Sequence, residues 1–245
     1  EHRLLLDCPA YIGALMRQAS EISGIYLSPP LTSHAIISHL HDDHSGGLLE
    51  YAINHRIARN PQTAPSRDYS AAEQAAAQRV GRPTLVSHPA VMAAVWPQRL
   101  YVGLGQSLNE AGEYVQNQFS DFYRTSIVIP GQRKAIGDSG IEVEARLTTH
   151  HIPCAAYRVY YNGRCVAFSG DTAFEPALVE WLAEANLLFH ESTYGPGHSP
   201  YAALRDYAAA RPGLADKLYL YHYPDNFDVA HSALKVAAVG RVYPV

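Results

Sequence analysis

Ala35-Ile36-Ile37-Ser38-His39-Leu40-His41-Asp42-Asp43-His44-Ser45-Gly46-Gly47 is an apolar stretch that runs without a break into one rich in ligand atoms. Residues 35–38 read as a strand, and Leu48-Leu49-Glu50-Tyr51-Ala52-Ile53 suits a helix packing back on the same sheet. Between them, His39, His41, Asp43 and His44 follow the pattern H-x-H-x-D-H. Neutral imidazoles and a carboxylate are ligands for zinc and similar borderline metals, and a tight loop can turn donors so closely spaced toward two adjacent ions. A solvated loop with Asp43 as a helix N-cap would not call for three histidines.

The same punctuation recurs on either side. An opening strand ends at Asp7-Cys8-Pro9, and a helix is expected from Tyr11 to about Glu21, with Ile12, Leu15, Met16 and Ala19 on one stripe. Pro61, Pro65, Arg67 and Asp68 mark a loop, and an alanine-rich helix follows over 71–77. A strand is expected over 84–87 and a helix over 89–96, before a weakly patterned segment holding Gly103, Gly105 and Gly112. Gly103-Leu104-Gly105 is too short to be a phosphate-binding glycine motif. Residues 158–168 read as a hairpin about Asn162-Gly163, the pair that favours a type I′ turn. Helices are expected over 176–184 and 200–210, and strands over 186–189 and 218–221. Later strands, too, deliver polar residues at their ends: Ser169-Gly170-Asp171, His190-Glu191 and His222.

Composition limits the function classes. The 245 residues carry 19 Lys+Arg against 23 Asp+Glu, a net charge of −4, so nothing advertises a polyanion partner. With 47 % hydrophobic and 17 % charged residues the chain is folded rather than disordered. It is expected to be one domain over 1–245, with a variable segment at about 60–140 that shapes specificity or forms a homodimer surface through Trp96, Leu100, Tyr101, Tyr114 and Phe119. Cys8, Cys154 and Cys165 give neither a disulfide framework nor a zinc knuckle, which fits a reducing compartment. No run approaches the ~18 apolar residues of a membrane span, and no leader opens the chain, so a cytoplasmic protein without membrane contact is expected. The sequence starts at Glu1 rather than Met, and upstream residues can be missing.

The motif after a strand resembles the signature of the metallo-β-lactamase-fold superfamily, and the likeness continues in order through Asp7, His150, Asp171 and His222. It implies an α/β fold, a four-layer αβ/βα sandwich. It also implies two divalent ions, one on His39, His41 and His150, a second on Asp43, His44 and His222, with Asp171 bridging. Zinc is the expected metal, with manganese or iron as alternatives. His150-His151-Ile152-Pro153, Gly170-Asp171-Thr172 and His190-Glu191-Ser192-Thr193 resemble the ribonuclease Z-like phosphodiesterase branch more closely. That likeness selects His150 over His151 and implies that Glu191 orients His198, which protonates the leaving oxygen. The gap between the two is shorter than that branch's, and Pro200 stands where it has a small hydroxyl residue; a turn with Ser199 as N-cap is the competing reading. Asp43, Glu191 and His198 are the candidate catalytic residues. Asp7 is expected to hold the ligand loop by accepting hydrogen bonds, and Asp42 to be exposed. His2, His34, His55, His88, His190 and His231 have no motif partner and are read as ordinary surface or core histidines.

The function implied is a dinuclear metal-dependent hydrolase, a phosphodiesterase attacking through a metal-bridging hydroxide. A small diester or nucleotide is favoured over RNA, because no basic, glycine-rich arm is visible. The alternatives are a ribonuclease Z-like endonuclease, a lactone or thioester hydrolase, and a diiron oxygen- or redox-active module. His41, where flavodiiron relatives place glutamate, argues for the hydrolytic pair.

Overall fold

The computed structural model describes residues 3–60, 62 and 68–245. His2, and Pro61, Pro65 and Arg67 of the expected loop, lie outside the described residues. The chain divides into two compact units, residues 1–127 and 128–245. Each has a sheet and helices of its own, as an α/β chain should.

The first unit contains β1 (Leu4–Leu6), α1 (Ile12–Ser23), β2 (His34–Ile36), α2 (Asp42–Ser45), α3 (Leu48–Arg59), α4 (Ala71–Val80), β3 (Thr84–Ser87), α5 (Pro89–Ala94), α6 (Tyr101–Leu104), β4 (Gln106–Leu108), β5 (Tyr114–Gln116), α7 (Phe119–Phe122) and β6 (Arg124–Ile127). Its main sheet has the order β1-β2-β3-β6 and is parallel throughout, which requires the helical crossovers found between successive strands. All their C-terminal ends therefore lie along one edge. β2 and β3 are buried along their whole length, the pattern of strands covered on both faces. Helix α1 stops at Gly24, whose φ of 70° is the left-handed value that closes a helix at low cost. Ser70 and Glu73 form a reciprocal capping box at the start of α4.

Two features of this unit depart from the sequence reading. Strand β2 ends at Ile36, although the Ile37 N–H still donates to Val86. The helix expected to end near Trp96 continues as a π-helix over Val95–Leu100, with the Tyr101 N–H reaching back five residues to the Trp96 carbonyl. Pro97 lies inside it; proline cannot donate to the preceding turn and its ring presses on it, and a widened turn relieves both. Leu100 is fully buried, and Trp96 and Phe119 pack on the same core as Leu48, Tyr51 and Leu85. Of the candidate surface aromatics, Tyr101 and Tyr114 remain exposed, at 44 % and 83 %. The weakly patterned segment is the helical turn α6 and the small hairpin β4–β5. Gly103 belongs to that turn and lets Leu49 approach, a packing role.

The second unit contains β7 (Lys134–Ala135), β8 (Glu142–Leu147), β9 (Ala155–Tyr161), β10 (Arg164–Phe168), α8 (Pro176–Ala183), β11 (Leu187–Glu191), α9 (Tyr201–Ala209), α10 (Leu214–Lys217), β12 (Leu218–Tyr221) and β13 (Lys235–Val236). Its seven strands run in the order β13-β12-β11-β10-β9-β8-β7. The hairpin β9–β10 turns at Asn162 and Gly163, with φ of 48° and 75°, as a type I′ turn requires. From β10 to β13 the pairing is parallel, so β10, β11 and β12 present their C-terminal ends together. Leu178, Val179 and Leu182 of α8 and Leu204 and Ala208 of α9 form the core with Leu188, Leu218 and Leu220 of the sheet. No helix among the described residues is long and apolar enough to cross a membrane.

Candidate metal centre

In each unit the chemistry-bearing residues stand where parallel strands end. In the first unit Asp7 follows β1 directly, with the left-handed φ of 61° that aspartate tolerates better than most residues. Its Oδ1 accepts the Ser38 N–H at 2.7 Å, and its Oδ2 accepts the Ser38 hydroxyl and His44 Nδ1, each at 2.7 Å. The network dictates tautomers. With Nδ1–H donated to Asp7, the lone pair of His44 is on Nε2, which lies 3.4 Å from Asp43 Oδ2. The Ser38 hydroxyl has only one proton and gives it to Asp7, so it accepts from His39 Nδ1 at 3.0 Å. That leaves the His39 lone pair on Nε2, 2.9 Å from His41 Nδ1. A carboxylate that fixes ring and tautomer is the usual support of a metal-binding histidine. Asp7 thus holds the loop, and Asp43 and Asp42 are largely solvent-facing, at 61 % and 71 % exposure.

In the second unit Asp171 follows β10, Glu191 ends β11, and His222 follows β12 with a left-handed φ of 51°. His150 donates Nδ1–H to the Gly197 carbonyl at 2.9 Å, so its Nε2 carries the lone pair. A side chain at Gly197 would crowd that ring at 3.1 Å. Around Asp171 Oδ2 stand His150 Nε2 at 4.0 Å, His222 Nε2 at 3.8 Å and His198 Nδ1 at 3.8 Å. These gaps are too long for hydrogen bonds. Asp171, His198 and His222 each offer an atom close enough to the others to hold one cation. His150 is the histidine directed at Asp171, whereas His151 is exposed.

Glu191, fully buried, is the hub of this half. Its carboxylate accepts the N–H groups of Thr172 at 2.9 Å, Thr193 at 3.1 Å and Ser199 at 3.2 Å, and His198 Nδ1 at 3.2 Å. Burial, with the Asp171 charge adding to it, pushes its carboxyl up to about 8 against those backbone donors. Burial also holds His198 below the usual imidazole value, helped by His150, His222 and His151 and opposed by Asp171. Ser199 is no N-cap: it is buried, its hydroxyl donates to the Thr172 carbonyl, and Pro200 occupies the cap of α9.

Several ordinary-looking histidines have structural duties. His88 accepts the Ala90 N–H and caps α5, a role that its place just before Pro89 could have revealed. His34, His55 and His190 are buried, and His231 is exposed. Cys8, Cys154 and Cys165 are buried.

The model of the family Anti-Pycsar protein Apyc1 matches residues 1–240. The chain belongs to this family. Among the relatives of this Apyc1 family member, the cGMP-dependent 3′,5′-cGMP phosphodiesterase A of Dictyostelium discoideum is 23 % identical over 253 residues. That match takes in 89 % of this chain but only 24 % of the Dictyostelium protein. The metallo-β-lactamase fold protein YhfI of Bacillus subtilis superposes with a TM-score of 0.67 at 15 % identity, covering 99 % of this chain and 87 % of YhfI. Human tRNase Z, short form, gives 0.58 at 17 % identity, covering 99 % and 88 %. The fold is the metallo-β-lactamase fold.

Proposed function

We propose that the protein hydrolyses a small phosphodiester, a 3′,5′-cyclic nucleotide being the first choice, with the help of a pair of divalent ions. His39, His41 and His150 would hold one ion, Asp43, His44 and His222 the other, and Asp171 both. Zinc suits this nitrogen- and carboxylate-rich set, with manganese or iron as alternatives. When bound, such ions lower the pKa of water and stabilise charge developing on phosphoryl oxygens.

The observation that carries the reading is the Glu191–His198 contact beside Asp171. Glu191 grips Nδ1 and so turns Nε2 of His198 outward, where it can give its proton to a leaving alkoxide. A small substrate is favoured because the exposed β4–β5 hairpin, residues 106–116, carries Glu110 and Glu113 and no lysine or arginine. It offers nothing to grip an RNA backbone. The name of the Dictyostelium relative points to the same substrate class. Three cysteines with no disulfide-framework spacing suit a cytoplasmic setting.

The test is hydrolysis of 3′,5′-cGMP and 3′,5′-cAMP by protein loaded separately with zinc, manganese and iron, with Asp171→Ala as control. A single monophosphate product, absent with the variant, is expected. Two bound ions with no cyclic-nucleotide turnover, or cleavage of a tRNA precursor that falls steeply with salt, would overturn the reading.

A further inference from the structure

The turn that carries Asp43 and His44 is held from two sides. On one side its carbonyls accept backbone N–H groups from the segment after β1: Cys8 donates to His44 at 2.7 Å and Ala10 to Asp42 at 3.2 Å. On the other side it is reached by Arg99. The Arg99 Nε donates to the Ser45 carbonyl at 3.3 Å and its Nη2 pairs with the Asp42 carboxylate. Asp42 and Ser45 are the first and last residues of α2, so one guanidinium spans the whole turn and encloses Asp43 and His44 between its two contacts.

Two further features agree with a clamp. Gly46 has an ordinary right-handed backbone, so its conformation does not require glycine. A side chain there would meet the Asp42 backbone carbonyl at 2.4 Å, so the turn itself requires the glycine, and Arg99 Nη2 approaches to 2.8 Å of that position in the space it leaves. Arg99 itself sits in the π-helix over Val95–Leu100. One extra residue in a turn rotates the next turn by about 100°, and in this helix Leu100 enters the core while Arg99 faces α2. π-Helical turns of this kind often occur at functional sites.

We propose that Arg99 is a positioning residue for the metal-ligand turn, setting Asp43 and His44 through its fork on Asp42 and Ser45. Stability is a poor reason for the pair, since Asp42 is 71 % exposed and an ion pair that open contributes little. Geometry is the better one: a planar fork bonds two acceptors at a fixed separation, which a lysine ammonium cannot reproduce. The inference rests on Asp43 and His44 being ligands, as proposed above.

The experiment measures zinc stoichiometry by elemental analysis and zinc affinity by competition with a chromophoric chelator, on the full chain. Arg99→Met, Arg99→Lys and Asp42→Ala are compared with Asp43→Ala and His44→Ala. Thermal unfolding of each chelator-stripped chain serves as the control for folding. Loss of roughly 10–100-fold in affinity for one of two zinc ions, as is usual when a ligand's support is removed, is expected for all three clamp variants at near wild-type stability. The loss should persist in Arg99→Lys, which keeps the charge and the aliphatic stem. Undiminished affinity in Arg99→Met and Asp42→Ala would overturn the role of Arg99 while leaving the ligand reading intact. Undiminished affinity in Asp43→Ala and His44→Ala would overturn the ligand reading and the clamp with it. If Arg99→Met lowers stability sharply, Asp42→Ala decides, because it leaves Arg99 and its packing in place.

Discussion

Asp7→Asn separates the folding role of Asp7 from its control of a histidine tautomer. Asparagine accepts the left-handed φ of 61° readily, so the backbone should not object. The side-chain orientation is then forced. The Ser38 N–H can only donate, so the amide oxygen must take the Oδ1 place, which puts the NH2 group where Oδ2 now meets the Ser38 hydroxyl and His44 Nδ1. An NH2 group can only donate. His44 must therefore accept on Nδ1 and carry its proton on Nε2, the atom that should hold the metal. Exchanging charge-assisted bonds for neutral ones at a buried carboxylate costs about 1–3 kcal/mol. For a chain of 245 residues that corresponds to a fall in Tm of roughly 2–4 °C per kcal/mol. Zinc affinity at the His44 ion should fall by at least roughly 10–100-fold. Chelator competition reads the affinity, and long-range 1H–15N correlation spectra of the histidine rings read the tautomer. A variant that keeps wild-type zinc affinity with His44 protonated on Nδ1 would refute the reasoning.

Asp171→Ala and His41→Ala should lose metal and turnover together, as elemental analysis and cyclic-nucleotide hydrolysis will show. His198→Ala should keep both ions and lose turnover on an alkyl diester by roughly 10²–10⁴-fold, while bis(p-nitrophenyl) phosphate, whose leaving group needs no acid, is cleaved at near wild-type rate; wild-type rates on both substrates would remove His198 from the reaction. His55 is buried against Tyr51, and burial pushes its imidazole down to about 4 from an ordinary 6.5. The unfolded chain therefore takes up a proton there before the folded one does. Stability is intact above about pH 6.5 and falls by up to about 1.4 kcal/mol per pH unit as pH drops toward 4. His55→Leu should flatten that part of a Tm-against-pH curve, and an unchanged slope would count against the assignment.

The short-range features were legible because their causes are local. A type I′ turn needs two left-handed residues in a row, and Asn162-Gly163 names itself. The ligand motif announced a metal loop because three histidines and an aspartate have no economical alternative use after a buried strand. The recurrence of polar residues at strand ends, from Asp7 to His222, likewise showed where parallel strands would gather their chemistry. Harder to read were features whose cause lies far away in the chain. Nothing around Pro97 says that the helix will widen rather than stop, and nothing around Asp42 says that it will meet an arginine 57 residues on. Glu191 could be picked out by resemblance, but its burial and its backbone donors depend on Thr172 and Ser199, which the chain brings to it only by folding.

By itself, then, the sequence determined the α/β class, the order of strands and helices around the ligand loop, and the kinds of atom available to a metal, all of which depend on side-chain type and spacing. Tertiary structure alone decided which nitrogen of each histidine carries a lone pair, and that Arg99 spans the turn at Asp43. The physical reason is that tautomer, orientation and burial are set by hydrogen-bond partners, and those partners become neighbours only when the backbone closes on itself.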